Sequence, residues 1–97
     1  MLLGTIAHTA GNATRRGVDY CEWLEDGRTL SQSGFSATLV SPAPADITID
    51  RVSVTPTRLY YWVSGGSVNE TFTVEVQAKD TLGEVVLDTI DFTVVAR

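Results

Sequence analysis

The sequence predicts an all-β domain, an antiparallel β-sandwich of about seven short strands, and three observations carry that expectation. Residues 71 to 78 alternate strictly, with Phe72, Val74, Val76 and Ala78 on one face and Thr71, Thr73, Glu75 and Gln77 on the other. That period of two belongs to a strand buried on one side, and no helix could segregate those residues. The aromatic run Leu59 to Val63 leads into Gly65-Gly66, where at least one glycine is expected at positive φ so that the chain can leave one strand and enter the next. Turn signals then recur at intervals of about ten residues, with no alternation of strands and helical stretches that would suggest a parallel sheet.

Taken in order, residues 1–18 hold a candidate strand, Leu2 to Ala7, followed by a small and polar stretch carrying Arg15 and Arg16. They are expected to form an N-terminal arm ahead of a sandwich domain at 19–97, either loose at the terminus or ordered against a neighbouring subunit. In Asp19 to Gly27, Asp19 and Glu22 have the spacing of a capping box and Gly27 suits a left-handed stop, which predicts one short helical turn. Tyr20, Trp23 and Leu24 of that segment would plug one end of the sandwich with aromatic bulk, while Glu22, Glu25 and Asp26 face water.

Strands resume with Phe35, Ala37 and Leu39 on one parity, ended by Ser41-Pro42-Ala43-Pro44, because proline cannot donate to a ladder. Ile47 and Ile49 have the opposite parity to Val52 and Val54, so a bulge or turn is expected at Asp50-Arg51. In the aromatic strand both faces are apolar. Tyr60 and Trp62 are expected inward, which turns Tyr61 and Val63 outward as interface anchors, with Arg15 and Arg16 of the arm as further interface candidates. The turn Lys79 to Gly83 places Asp80 as a turn-capping aspartate rather than a calcium ligand. Val85 and Leu87 differ in parity from Ile90, Phe92 and Val94, and a bulge near Asp88 would reconcile them.

Composition bounds the function. The chain has 97 residues, 43% hydrophobic and 20% charged, and a formal net charge of -5. One folded domain with a real core is the expectation. The acidic balance, with 7 Lys and Arg in all, argues against a nucleic acid partner, which needs a basic face. A single cysteine, Cys21, permits no disulfide within the chain, and the first residues lack the pattern of a signal peptide or membrane span, so synthesis in the cytoplasm and no membrane association are expected. His8 is the one histidine, Cys21 stands beside Glu22 and reads as a small packing residue, and Gly65-Gly66 opens no helix that could hold a phosphate. No catalytic, metal or cofactor site emerges, and an enzyme is not expected.

Two stretches together resemble a known family. Asp19-Tyr20, Trp23-Leu24, Gly27 and Thr29-Leu30, followed by Tyr61-Trp62-Val63-Ser64-Gly65-Gly66, Phe72-Thr73-Val74 and Thr81-Leu82-Gly83, are similar to small virion proteins of tailed bacteriophages described as fibre-to-tail adaptors. The resemblance spans roughly residues 19 to 95. It implies an Ig-like sandwich, no enzymatic activity, and a structural protein assembling in many copies at the neck or tail, as a homo-oligomer, on portal, neck, tail or fibre components. A capsid decoration protein, and an Ig-like module of a cellular adhesin or carbohydrate-binding protein, are the alternatives.

Overall fold

A computed structural model describes residues 1–24, 27–40 and 44–96. Among the described residues there are seven strands: β1 (Leu2–Thr9), β2 (Ala13–Asp19), β3 (Ser36–Val40), β4 (Ile47–Val54), β5 (Arg58–Gly65), β6 (Thr71–Lys79) and β7 (Val85–Val95). They form a four-stranded sheet in the order β1-β7-β6-β3 and a three-stranded sheet in the order β2-β5-β4. One hydrophobic cluster draws on both sheets, with Phe72, Val74, Val76, Ile90, Phe92 and Val94 facing Leu59, Val63 and Ile47. This is a two-layer β-sandwich.

The interior assignment of Phe72, Val74, Val76, Ile90 and Phe92 matches the structure, where each is at most 4% exposed. Phe72 and Phe92 stack with ring centroids 4.8 Å apart, and His8 and Phe72 meet in a T-shaped arrangement. Both Gly65 and Gly66 take positive φ, at 89° and 99°.

Several expectations are corrected. Residues 1–18 are not set apart from the sandwich: β1 and β2 are edge strands of the two different sheets, joined at Thr9 to Asn12, where the chain crosses from one layer to the other. His8 is thereby fully buried on β1. The sandwich is also not purely antiparallel, because β1 runs parallel to β7. Its inward parity, Ile6 and His8, supplies apolar and aromatic surface that the small core needs.

The segment after β2 contains no helix among the described residues. Tyr20 O accepts from Trp23 N and Leu24 N, making a single turn, and Asp19 Oδ1 accepts from Cys21 N at 2.9 Å rather than capping a longer helix. Glu25 and Asp26, with Ser41 to Ala43 of the proline-containing connection, lie outside the described residues. The plug itself is there: Tyr20 is buried, Trp23 meets it edge to face at 5.8 Å, and Leu24 packs on the core. Cys21, expected to pack inside, is exposed.

No bulge occurs at Asp88, since β6 and β7 pair without interruption from Lys79↔Val85 to Thr71↔Thr93. Asp88 itself faces inward, a buried carboxylate accepting from Tyr20 Oη at 3.0 Å with the Met1 ammonium 3.5 Å away. An acid at an interior position had disguised the register, leaving Val85 and Leu87 on the outside, each about half exposed. Burial, with the Asp88 carboxylate beside it, pushes the Tyr20 phenol above its ordinary range.

Asp80 caps the β6–β7 turn as expected. It is buried, its Oδ1 accepts from Leu82 N and Glu84 N at 2.9 Å each, and Arg28 Nη1 donates to Oδ2 at 3.1 Å. Burial pushes its pKa up, but the two backbone N–H groups and Arg28 outweigh that and hold the carboxyl below its ordinary value. The unfolded chain therefore takes up the proton first on acidification. The stability Asp80 contributes is present above pH about 4 and is lost as pH falls towards the folded-state pKa. In melts recorded from pH 7 to 2.5, Asp80→Asn, which keeps an acceptor oxygen without the charge, is expected to lower Tm at neutral pH and to converge on the parent at the acid end. Parallel Tm curves for the two proteins would show that the charge contributes nothing.

Candidate interaction surface

The strand that carries the aromatic residues positions the site. Leu59, Tyr61 and Val63 are 0%, 1% and 0% exposed, whereas Tyr60 and Trp62 are half-buried on the outer face of the three-stranded sheet. The inward assignment of Tyr60 and Trp62 is thus reversed. Between two apolar parities the core takes the one with two aliphatic residues, and the outer face takes the rings whose polar atoms suit contact with water. Tyr61 and Val63 consequently lie in the core rather than on the outer face. Burial pushes the Tyr61 phenol up to about 12, with Arg16 opposing the shift.

Arg15 and Arg16 part company for the same reason. Arg16 pairs with Tyr61 and so points between the layers, where its Nη2 donates to Ala7 O at 3.3 Å and bridges the two edge strands. An inward-pointing charge on an edge strand discourages edge-to-edge aggregation. Arg15 pairs with Trp62 on the outer face, and its guanidinium lies over the Tyr60 ring, 4.6 Å from the centroid. Gly17, opposite Tyr60, lets the ring lie on the sheet: a Cβ there would come within 2.9 Å of Tyr60 Cε1.

On the far side of β5 the expected irregularity at Asp50-Arg51 is present, as a register shift between Asp50 and Ser53 with Arg51 at φ 49°. A left-handed arginine is costly by about 1–2 kcal/mol. Here the bulge swings its guanidinium over Trp62, 4.1 Å from the ring centroid. Asp50 accepts from Arg51 Nε at 3.4 Å, and Arg58 reaches Asp19 at 3.5 Å on the same face. The result is a flat array in which two guanidinium groups cover two aromatic rings. Stacking orders both groups; Arg51 spends its Nε–H on Asp50, and the guanidinium of Arg15 keeps its N–H edge for a carboxylate.

Tyr60, Trp62 and Arg51 were missed as surface residues. The cue lay in Gly17, the residue a sheet needs where a ring crosses a neighbouring strand, and in the aliphatic parity of Leu59 and Val63.

A second surface is the seam between β1 and β2, where neither sheet closes. A groove of about 450 Å³ there is lined by Leu3, Val18, Trp23, Val86 and Leu87 among others. Among the described residues no group of three or more His, Cys, Asp or Glu side chains is arranged to hold a metal.

The sequence from residue 9 to residue 93 matches the family described as podophage GP4 fiber-tail adaptor protein gp77. The chain belongs to this family. Its members are phage fibre–tail adaptors, so the chain is a structural component of a bacteriophage tail, and the resemblance seen in the sequence is shown. No curated protein matches the sequence. Among solved structures, a 2,6-sialyltransferase of Photobacterium sp. JT-ISH-224 is similar with a TM-score of 0.58 at 9% identity, over 99% of this chain and 18% of that one. So low an identity shows a shared fold alone, and the adaptor chain corresponds to a small part of the enzyme.

Proposed function

We propose that this protein is a non-enzymatic adaptor that joins fibre to tail in a podophage virion, made in the host cytoplasm and working in many copies as a homo-oligomer. The family match over residues 9–93 is the observation that carries this reading. Its partners are other virion proteins, the portal, neck, tail or fibre components. The sandwich is Ig-like in connectivity: β2, β5 and β4 occupy the places of strands B, E and D, and β3, β6 and β7 those of C, F and G.

An adaptor must hold more than one neighbour at once. The aromatic–arginine face and the β1–β2 seam are separate surfaces, and the first has the composition of an interface centre, rich in Tyr, Trp and Arg. Arg15, of the four interface candidates, is the one that lies on it.

Phage carrying Trp62→Ala with Arg15→Glu is expected to yield a folded, soluble protein with an unchanged melt, yet virions depleted of it and of fibres by more than about tenfold, since truncating an interface centre costs 2 kcal/mol or more. Gel densitometry of purified particles reads this directly. Normal adaptor and fibre content would exclude this face from the contact.

A further inference from the structure

We infer that the aromatic–arginine face of one copy docks on the outer face of the β1-β7-β6-β3 sheet of the next copy, so that adjacent adaptors stack front to back. The inference rests on the adaptor reading above and names what its principal surface meets.

The two outer faces of the sandwich differ in chemistry. On the three-stranded sheet, Arg15 and Arg51 lie over Tyr60 and Trp62; Arg51 is paired with Asp50 at 3.4 Å, and Arg15 has no ion pair among the described residues. On the four-stranded sheet, the outward positions of β6 and β7 are threonines with Glu75, Gln77 and Asp91 over the middle and one end, and Lys79, Val85 and Leu87 at the other end. Its central charges are both negative. Glu75 and Asp91 sit diagonally across the β6–β7 ladder, Glu75 opposite Thr89 and Asp91 opposite Thr73. Thr73 Oγ1 donates to Asp91 Oδ1 at 2.8 Å, and no partner is seen for Oδ2 among the described residues.

Shape favours the same pairing. Thr5, Thr71, Thr73, Asp91 and Thr93 rim a shallow hollow of about 250 Å³ on this otherwise flat sheet. The opposite face offers two aromatic rings covered by forked cationic donors. Carboxylates and threonine hydroxyls are the acceptors that such donors fit.

Symmetry then follows from the faces being different. A contact between two unlike patches is heterologous, and heterologous contacts propagate from copy to copy and close into a ring when the rotation allows. Two copies of the four-stranded face meeting would bring together centres whose charges, Glu75 and Asp91, are all negative. Like-charge contacts of that kind are disfavoured, so the arrangement selects against an isologous dimer through that face.

The test uses the intact protein, isotopically labelled, at concentrations up to about 1 mM, where weak contacts become populated. Amide shifts that depend on concentration are expected on both outer faces at once, around Arg15, Tyr60 and Trp62 and around Glu75 and Asp91. They should fade near 1 M salt, where the Debye length is about 3 Å. In sedimentation, Arg15→Glu/Arg51→Glu alone and Glu75→Arg/Asp91→Arg alone are each expected to associate at least about tenfold more weakly than the parent, while their mixture regains association. Shifts on neither face, on one face alone, or a mixture no better than its components would overturn the inference. Should wild-type copies ignore one another while the Arg15→Glu, Trp62→Ala particles still lack adaptor, the adaptor reading stands, and this face binds a different tail or fibre protein.

Discussion

Replacing Phe72 by alanine is expected to cost about 3 to 5 kcal/mol, the range for removing a buried phenylalanine from a core that cannot close over the gap. The local packing places it towards the upper end. Phe72 is 2% exposed, lies parallel to Phe92 at 4.8 Å with an interplanar angle of 2°, and meets His8 in a T-shaped arrangement. Deleting the ring removes the stack and opens space beside an imidazole whose partner is a backbone oxygen. Because Gly65 O can only accept, His8 donates to it from Nε2 at 3.0 Å, and Nδ1 is buried with no partner among the described residues. Any repacking that disturbs this bond leaves a second polar group unsatisfied. A domain of this size has about 5–15 kcal/mol in total, so the variant is expected to be marginal at 37 °C. Urea melts check it, and a loss below about 1 kcal/mol would mean that the ring is not in the core.

The core of the four-stranded sheet was legible because β6 is buried on one side only, and alternation of Phe72, Val74 and Val76 with threonine and charge has a single solution. Two places where the reading failed share a physical cause. On β5 both parities are apolar, so periodicity gives no answer, and the choice falls to side-chain chemistry: the outer face needs rings that tolerate water and accept a guanidinium on top. On β7 the opposite holds, since Asp88 occupies an inward position, its cost met by Tyr20 and the Met1 ammonium from elsewhere in the chain. Partners distant in sequence leave no local trace. The same is true of β1 and β2, whose neighbours β7 and β5 are too far along the chain for a pattern within residues 1–18 to reveal them. Strands at a terminus look like an arm until the sheets they complete are known.

That correction bears on the site. With β2 locked into register on β5, Arg15 has a fixed position opposite Trp62, instead of swinging on a loose terminus. A side chain held in place by stacking loses less entropy when a partner arrives, which is how an adaptor on a crowded particle can bind through few residues. The bulge at Arg51 does the same from the other side.

Gly65→Val is expected to cost about 3 to 5 kcal/mol, adding a Cβ clash to a backbone conformation that branched residues avoid. The position is more demanding than positive φ alone would make it. A Cβ on Gly65 would run into Asp46 O, which is backbone and cannot swing aside as a side chain does. Gly65 also ties together three parts of the fold: its N–H donates to Asn12 O at 3.2 Å, and its carbonyl accepts from Gly11 N at 3.2 Å and from His8 Nε2 at 3.0 Å. Moving this peptide to relieve the clash therefore loosens the β1–β2 corner and leaves the buried imidazole without its acceptor. Gly66 provides the internal control. It has a similar φ of 99°, but a Cβ there would meet side chains, Ile47 Cδ1 at 2.9 Å and Val94 Cγ2 at 3.2 Å, rather than backbone. Alanine at position 66 is accordingly expected to lose about 1 to 2 kcal/mol, and alanine at position 65 distinctly more. Denaturant melts of the two alanine variants side by side decide the matter. Equal losses would show that φ alone governs this turn and that the approach of Asp46 carries no weight.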